Sequence, residues 1–259
     1  MFLSDNIPIV INLPVSQEYV DIYFVHDMHF GSELFDEKKW ERLKNIILND
    51  EHAYVCIIGD VLENAIPNSK SDMFTQTHSP SEQKEWATKQ FKDLSPKIIV
   101  VVPGNHEHNR TTKVSGLYPL YDCCLLAGMG EKYRDTIAFV DIAVGTYHGK
   151  TNRQTHYIGQ IQHHAKDAKN YHSSDYTDGI DFFASGHDHE PKDKPRAKLV
   201  YDPHNKSVYK RNVECVNCGS FCTYGGYGAK GAYRPQSDKI YKLRLFGNKK
   251  RMETTGFYV

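Results

Sequence analysis

Short apolar runs alternate with longer amphipathic stretches through the first two thirds of the chain. Residues 20–25 are β-branched and aromatic and predict a strand. Asp36 is placed to cap a helix reaching residue 49, with Trp40, Leu43 and Ile47 at helical spacing. Residues 53–58 predict a second strand, and a polar loop over 67–80 leads to a helix over 81–94 that Ser95-Pro96 ends. Residues 97–102 predict a third strand. Further on, the pattern predicts a helix at 117–126, one or two strands in 137–147, a helix over 157–169 and a buried strand at 180–184. After Glu190 it changes to alternating strands at 198–202, 207–216 and 239–245. Strand–helix repetition followed by a run of strands predicts an α/β protein in which two sheets pack together, flanked by helices.

At 259 residues with 39% hydrophobic residues, the chain can bury a sizeable core, and one pattern runs end to end. A single domain over 1–259 is expected, with a core at 19–190 and strands plus a Gly/Tyr-rich basic loop at 191–259. The net charge is zero, which excludes a uniformly basic nucleic-acid binder. The charge is uneven, however: residues 191–259 carry a net +10 and residues 1–190 a net −10. The acidic surplus suits cation binding, and the basic surplus suits an anionic substrate. The N-terminal apolar stretch is short and broken by Pro8 and Pro14, so neither a signal peptide nor a membrane span is expected. Six cysteines without a disulfide-framework spacing make a reducing cytoplasm the expected compartment. Cys215-x-x-Cys218 has no second pair after it and reads as buried thiols rather than half a zinc site.

Five short segments carry the chemistry: Asp27-Met28-His29, Gly59-Asp60, Gly104-Asn105-His106-Glu107, His148-Gly149 and Gly186-His187-Asp188-His189. Each follows an apolar run that reads as a strand. Ligands of open α/β sheets bind beyond the carboxyl ends of strands. Asp27, His29, Asp60, Asn105, His148, His187 and His189 together can hold two metal ions side by side, leaving His106 for chemistry. Two carboxylates among imidazoles suit Mn, Fe or Zn better than Mg or Ca, and Asp60 is the best candidate to bridge two ions.

These segments resemble the signature of the calcineurin-like metallophosphoesterase superfamily, D-x-H, G-D, G-N-H-E/D, H and G-H-x-H, from Asp27 to His189. The resemblance implies a four-layer α/β/β/α sandwich of two mixed sheets. It implies one divalent transition metal on Asp27, His29, Asp60 and His189, and a second on Asp60, Asn105, His148 and His187. Manganese leads, with iron, zinc or nickel accepted by the same donors. It further implies a metal-bridging hydroxide as nucleophile, with His106 protonating the leaving oxygen. Motif two reads GDVLEN without the Asp-Arg-Gly continuation of protein Ser/Thr phosphatases, and Phe30 displaces their Asp-x-His-Gly form.

The expected activity is therefore hydrolysis of a phosphodiester in DNA, RNA or a nucleotide. A phosphomonoesterase and a non-catalytic scaffold are the alternatives, and a homodimer fits the superfamily. Glu107 is a candidate to hold His106, and Glu63 and Asn64 to support their loop. His26, Arg110 and Arg153 lie beside the motif residues as substrate-contact candidates. Tyr224, Tyr227 and Lys230 belong to a Gly/Tyr loop suited to stacking a base. That tail resembles phage- and prophage-type phosphoesterases, for which the compartment would be the host cytoplasm.

Overall fold

The apolar runs form strands and most amphipathic stretches between them form helices. The computed structural model describes residues 4–67, 69, 71–149, 153–163, 177–232 and 234–259. In chain order the main elements are β1 (Ile9–Asn12), β2 (Tyr19–Val25), α1 (Glu37–Asn49), β3 (Ala53–Ile58), α2 (Pro80–Leu94) and β4 (Ile98–Val102). A short helix, Pro119–Leu126, precedes β5 (Ile137–Val144), β6 (Thr155–Gln162) and β7 (Phe182–Ser185). The remaining strands are β8 (Lys192–Asp193), β9 (Arg196–Asp202), β10 (Ser207–Asn217), β11 (Ile240–Phe246) and β12 (Met252–Phe257).

Local chemistry sets the helix starts. The Asp36 carboxylate accepts the Lys39 N–H at 2.9 Å and opens α1. Ser79 and Glu82 form a reciprocal capping box at α2, with Pro80 in its first turn. Trp40, Leu43 and Ile47 of α1 are buried, as are Ala87, Phe91 and Leu94 of α2.

The strands form two mixed sheets. One has five strands in the order β12-β11-β2-β3-β4, the last three parallel. The other has seven, in the order β1-β5-β6-β7-β10-β8 with β9 paired to β10. The main core lies between them, where Val20, Ile22 and Phe24 of one sheet join Tyr157, Phe182 and Ala184 of the other. Phe183, one residue out of step with Phe182, falls in a second cluster with Ile180, Val213 and Cys215, as strand alternation requires. Helix α1 packs on β3 and Pro119–Leu126 packs on β4, so helices cover the five-stranded sheet.

One predicted element is corrected. The helix expected over 157–169 begins instead as strand β6, paired antiparallel to β5 and parallel to β7. Tyr157 and Ile161 are a helical turn apart, but they also alternate with Ile158 and Gln160. Pairing on both edges makes the period of two prevail over the helical one. Residues 164–169 of that expected helix lie outside the described residues.

Strand direction has a consequence for function. The parallel strands β2, β3 and β4 end at one edge, and β6 and β7 end together. Because β5 runs against β6, with Val144 opposite Thr155 and Ile137 opposite Gln162, the carboxyl end of β5 opens at the opposite edge of its sheet.

Candidate metal centre

The loops leaving these strands are backbone-strained at the residues that carry the chemistry. Asp27, His29, Asp60, His187 and His189 all have positive φ, between 47° and 80°. Non-glycine residues adopt that region only when their surroundings enforce it. Enforcement comes partly from a close crossing of two loops: a Cβ on Gly59 would overlap the Gly104 backbone, and one on Gly104 would overlap Asp60. Glu107, fully buried, ties the same loops together. Its Oε2 accepts the N–H groups of Asp60 at 2.9 Å and Gly104 at 2.8 Å, and its Oε1 accepts that of Leu62 at 2.9 Å. Its contacts are thus with loop backbone, not with the His106 ring as the sequence suggested.

Three overlapping donor groups converge here: Asp27, His29 and His189; His29, Asp60 and His106; and Asp60, His163 and His187. Within each group the donor atoms lie within 4.8 Å of one another. His29 Nε2 is 3.1 Å from His189 Nε2. Asp60 Oδ2 is 3.2 Å from His163 Nε2. Asn105 Oδ1 is 2.8 Å from His187 Nδ1 and 3.2 Å from His163 Nε2. Asp27 Oδ1 is buried without a hydrogen-bond partner, 3.6 Å from His189 Nε2, 3.8 Å from His29 Nε2 and 3.9 Å from His163 Nε2. Donors bonded to one ion at about 2.1 Å stand roughly 3–3.5 Å apart, so much of this spacing fits coordination. An orphaned carboxylate oxygen among imidazoles fits a divalent cation better than it fits an empty polar core.

The other ring nitrogens of His163 and His29 are held as metal-binding histidines require. His163 Nδ1 donates to the Ile58 carbonyl at 2.6 Å, leaving Nε2 toward the cluster. Glu63 Oε2 lies 3.3 Å from His29 Nδ1 and 3.6 Å from His106 Nδ1. Its Oε1 accepts from Arg110 at 2.8 Å and from Ser71. Burial opposes charge on Glu63, but bonding to His29 and the charges of His29 and His106 hold it down at about 2. Burial alone would raise Asp27, yet the imidazoles around it, His189 and His26 foremost, hold it well below the carboxylate range. Burial also opposes a charged His163, but Asp60 and Asp27 carry it up to about 10. At His106 burial prevails and brings the imidazole down to about 3.

The structure brings together Asp27, His29, Asp60, Asn105, His106, His187 and His189, and it does not bring His148. That expectation is corrected. His148 is exposed, its N–H bonded to the Asn248 carbonyl at 2.9 Å and its ring edge-on to Tyr147 at 4.2 Å. It follows β5, which points away from the cluster. His163 stands in its place, immediately after β6. The clue was present, since β-type alternation over 155–162 ends at a histidine. A helical reading of that stretch concealed it.

The substrate-contact candidates divide. His26 is fully buried against Asp27 and touches no open space, which corrects its expected contact with substrate. Arg153 stacks its guanidinium 4.6 Å above Tyr147 at the far edge, beside a cavity of about 600 Å³, and is likewise corrected. Arg110 stays near, anchored on the Glu63 carbonyl at 2.6 Å and on its carboxylate. The segment bearing the exposed Tyr224 and Lys230, which ends in a short helix at Gly226–Lys230, is joined to the first motif by the Phe221 N–H, which donates to the Asp27 carbonyl at 3.0 Å. The side chain of Tyr227 lies outside the described residues. Cys215 and Cys218 are buried thiols in no disulfide, and Cys222 is a partly buried one.

No protein-family model matches the chain, and no curated protein does. Solved structures of similar fold include a predicted phosphoesterase from Streptococcus pneumoniae, 14% identical, covering 92% of this chain and 97% of its own, with a TM-score of 0.37. A metallophosphoesterase from Sphaerobacter thermophilus is 11% identical, covers 92% of this chain and 88% of its own, and has a TM-score of 0.38. Vps29 from Entamoeba histolytica is 12% identical over 92% of this chain and 99% of its own, with a TM-score of 0.37. Likenesses this distant carry no inference about chemistry, which rests on the chain's own residues.

Proposed function

We propose that this chain is a dinuclear, metal-dependent phosphoesterase of the calcineurin-like kind, hydrolysing a phosphodiester in a nucleic acid or nucleotide. The observation that supports it is the buried, unpartnered Asp27 Oδ1 facing three imidazole nitrogens at 3.6 to 3.9 Å. Asp27, His29, Asp60 and His189 would hold one divalent transition-metal ion, with manganese the first candidate. Asp60, Asn105, His163 and His187 would hold the other. When bound, the ions supply Lewis acidity toward phosphoryl oxygens and lower the pKa of an attacking water.

The chain's own residues do the rest. Glu63 lies on the Nδ1 sides of His29 and His106, so that His29 Nε2 would be left to hold an ion and His106 Nε2, 3.7 Å from Asp60 Oδ2, to meet the substrate. His106 gives a proton from Nε2 to the departing alkoxide. The bound phosphate supplies the opposite charge that raises this buried imidazole from its low value. Arg110 fixes Glu63. The diester preference is supported by the Tyr224–Lys230 loop beside the first motif, where aromatic faces and positive charge suit a base and its backbone.

The test is hydrolysis of bis-p-nitrophenyl phosphate against p-nitrophenyl phosphate with added manganese, with Asp60→Ala and His106→Ala as controls. Diester turnover lost in both variants is the expected result. Monoester-only turnover would replace the substrate assignment. No turnover with any transition metal would favour a non-catalytic scaffold.

A further inference from the structure

His26 stands immediately before the first motif and is 0% exposed. Its Nε2 accepts the backbone N–H of Cys218 at 3.0 Å. An amide N–H can only donate, so in the neutral ring the proton sits on Nδ1. Nδ1 lies 2.6 Å from Asp27 Oδ2 and donates to it. The His187 N–H reaches the same Oδ2 at 2.7 Å. Both donors go to one oxygen, and Oδ1 is left bare toward His189, His29 and His163. The terminal torsion of an aspartate is broad and does not choose an orientation by itself.

The end of β10 makes a second contact with the cluster. Asn217, the last residue of β10, donates from Nδ2 to Asp188 Oδ1 at 2.6 Å, between His187 and His189. Lys192 holds the other Asp188 oxygen at 2.5 Å. Asn217 and Cys218 therefore brace Asp27 through His26 and the His187–His189 turn through Asp188.

We propose that His26 is a positioning residue of the metal centre: spanning the Cys218 N–H and Asp27 Oδ2, it fixes which Asp27 oxygen is presented to a divalent ion. The role rests on the metal-centre reading above. An imidazole suits it because one rigid ring carries a donor and an acceptor on opposite sides. An asparagine at this position reaches Asp27 only, a glutamine reaches Cys218 only, and a leucine reaches neither.

The experiment is a Mn²⁺ titration of the full chain without substrate, followed by electron paramagnetic resonance of free and bound ion. The variants are His26→Leu, His26→Gln and His26→Asn, with Asp27→Ala as control and the Tm of each measured in chelator. Loss of an outer hydrogen bond to a ligand costs about 10–100-fold in metal affinity, so Leu and Gln should fall by that factor while Asn stays within about threefold of wild type. The bound-Mn²⁺ line shape should change in Leu and Gln and be rescued in Asn. Wild-type affinity in a folded Leu or Gln variant, with Asp27→Ala impaired, overturns the positioning role alone. If His26→Leu does not fold, the comparison of Gln with Asn decides. Full affinity in Asp27→Ala overturns the metal-centre reading itself.

Discussion

His163 Nε2 lies 3.2 Å from Asp60 Oδ2, although the two residues leave strands of different sheets. Asp60 follows β3, and His163 follows β6. The contact joins the carboxyl edges of both sheets at one point. On the proposed function, His163→Ala should lose one of the two ions by elemental analysis and about 100-fold or more in diester turnover, since removing a ligand costs at least as much as the roughly 10–100-fold of losing an outer partner. His148→Ala, at the other edge, should leave both unchanged. Equal effects of the two substitutions would refute the assignment.

Glu63 faces two histidines with one oxygen and Arg110 with the other. Glu63→Gln keeps the shape but removes the charge that orients both rings. Turnover should fall about 10–100-fold, chiefly in kcat, with little change in Tm. An unchanged kcat with a raised KM would instead place Glu63 in substrate binding.

Glu107 accepts three backbone N–H groups where no water reaches. Glu107→Leu strands all three. Each unsatisfied buried donor costs about 1–3 kcal/mol, so a loss of roughly 3 kcal/mol or more is expected in urea unfolding of the metal-free chain. A stability within about 1 kcal/mol of wild type would mean that the loops find other acceptors.

Asp21 gives an acid-sensitive contribution outside the candidate metal centre. It is buried on β2 and bonded to Lys242 at 2.5 Å and to Arg244 at 2.7 and 2.9 Å, both on β11. Burial by itself raises its pKa, but the hydrogen bonds and charges of Arg244 and Lys242 outweigh that and lower it. A carboxylate lowered by folding stabilises fully above its unfolded pKa, near 3.9, and that stabilisation is lost as pH falls through the folded value. Asp21→Asn should therefore cost about 1.5–3 kcal/mol at neutral pH, with the difference from wild type shrinking below about pH 4. A difference independent of pH would show that shape, not charge, matters there.

Much of the candidate site was legible in the chain because strand-end motifs are local. A β-branched run followed by Asp-x-His, Gly-Asp or Gly-Asn-His places its polar residues at a strand's carboxyl end whatever the sheet order. The helix cap at Asp36 was legible for the same reason. Which strand ends share an edge was not local. His148 follows a convincing strand, but pairing reversed β5 against β6 and carried it away, while His163 was brought in by a strand whose sequence also permits a helix. His26 illustrates a second limit: burial and the Cys218 N–H, 192 positions along the chain, turned an apparent substrate contact into a support for Asp27. The sequence by itself determined the donor types and most of their places. Tertiary structure decided the last donor and its supports, because strand direction and long-range hydrogen bonds are set by partners distant in the chain.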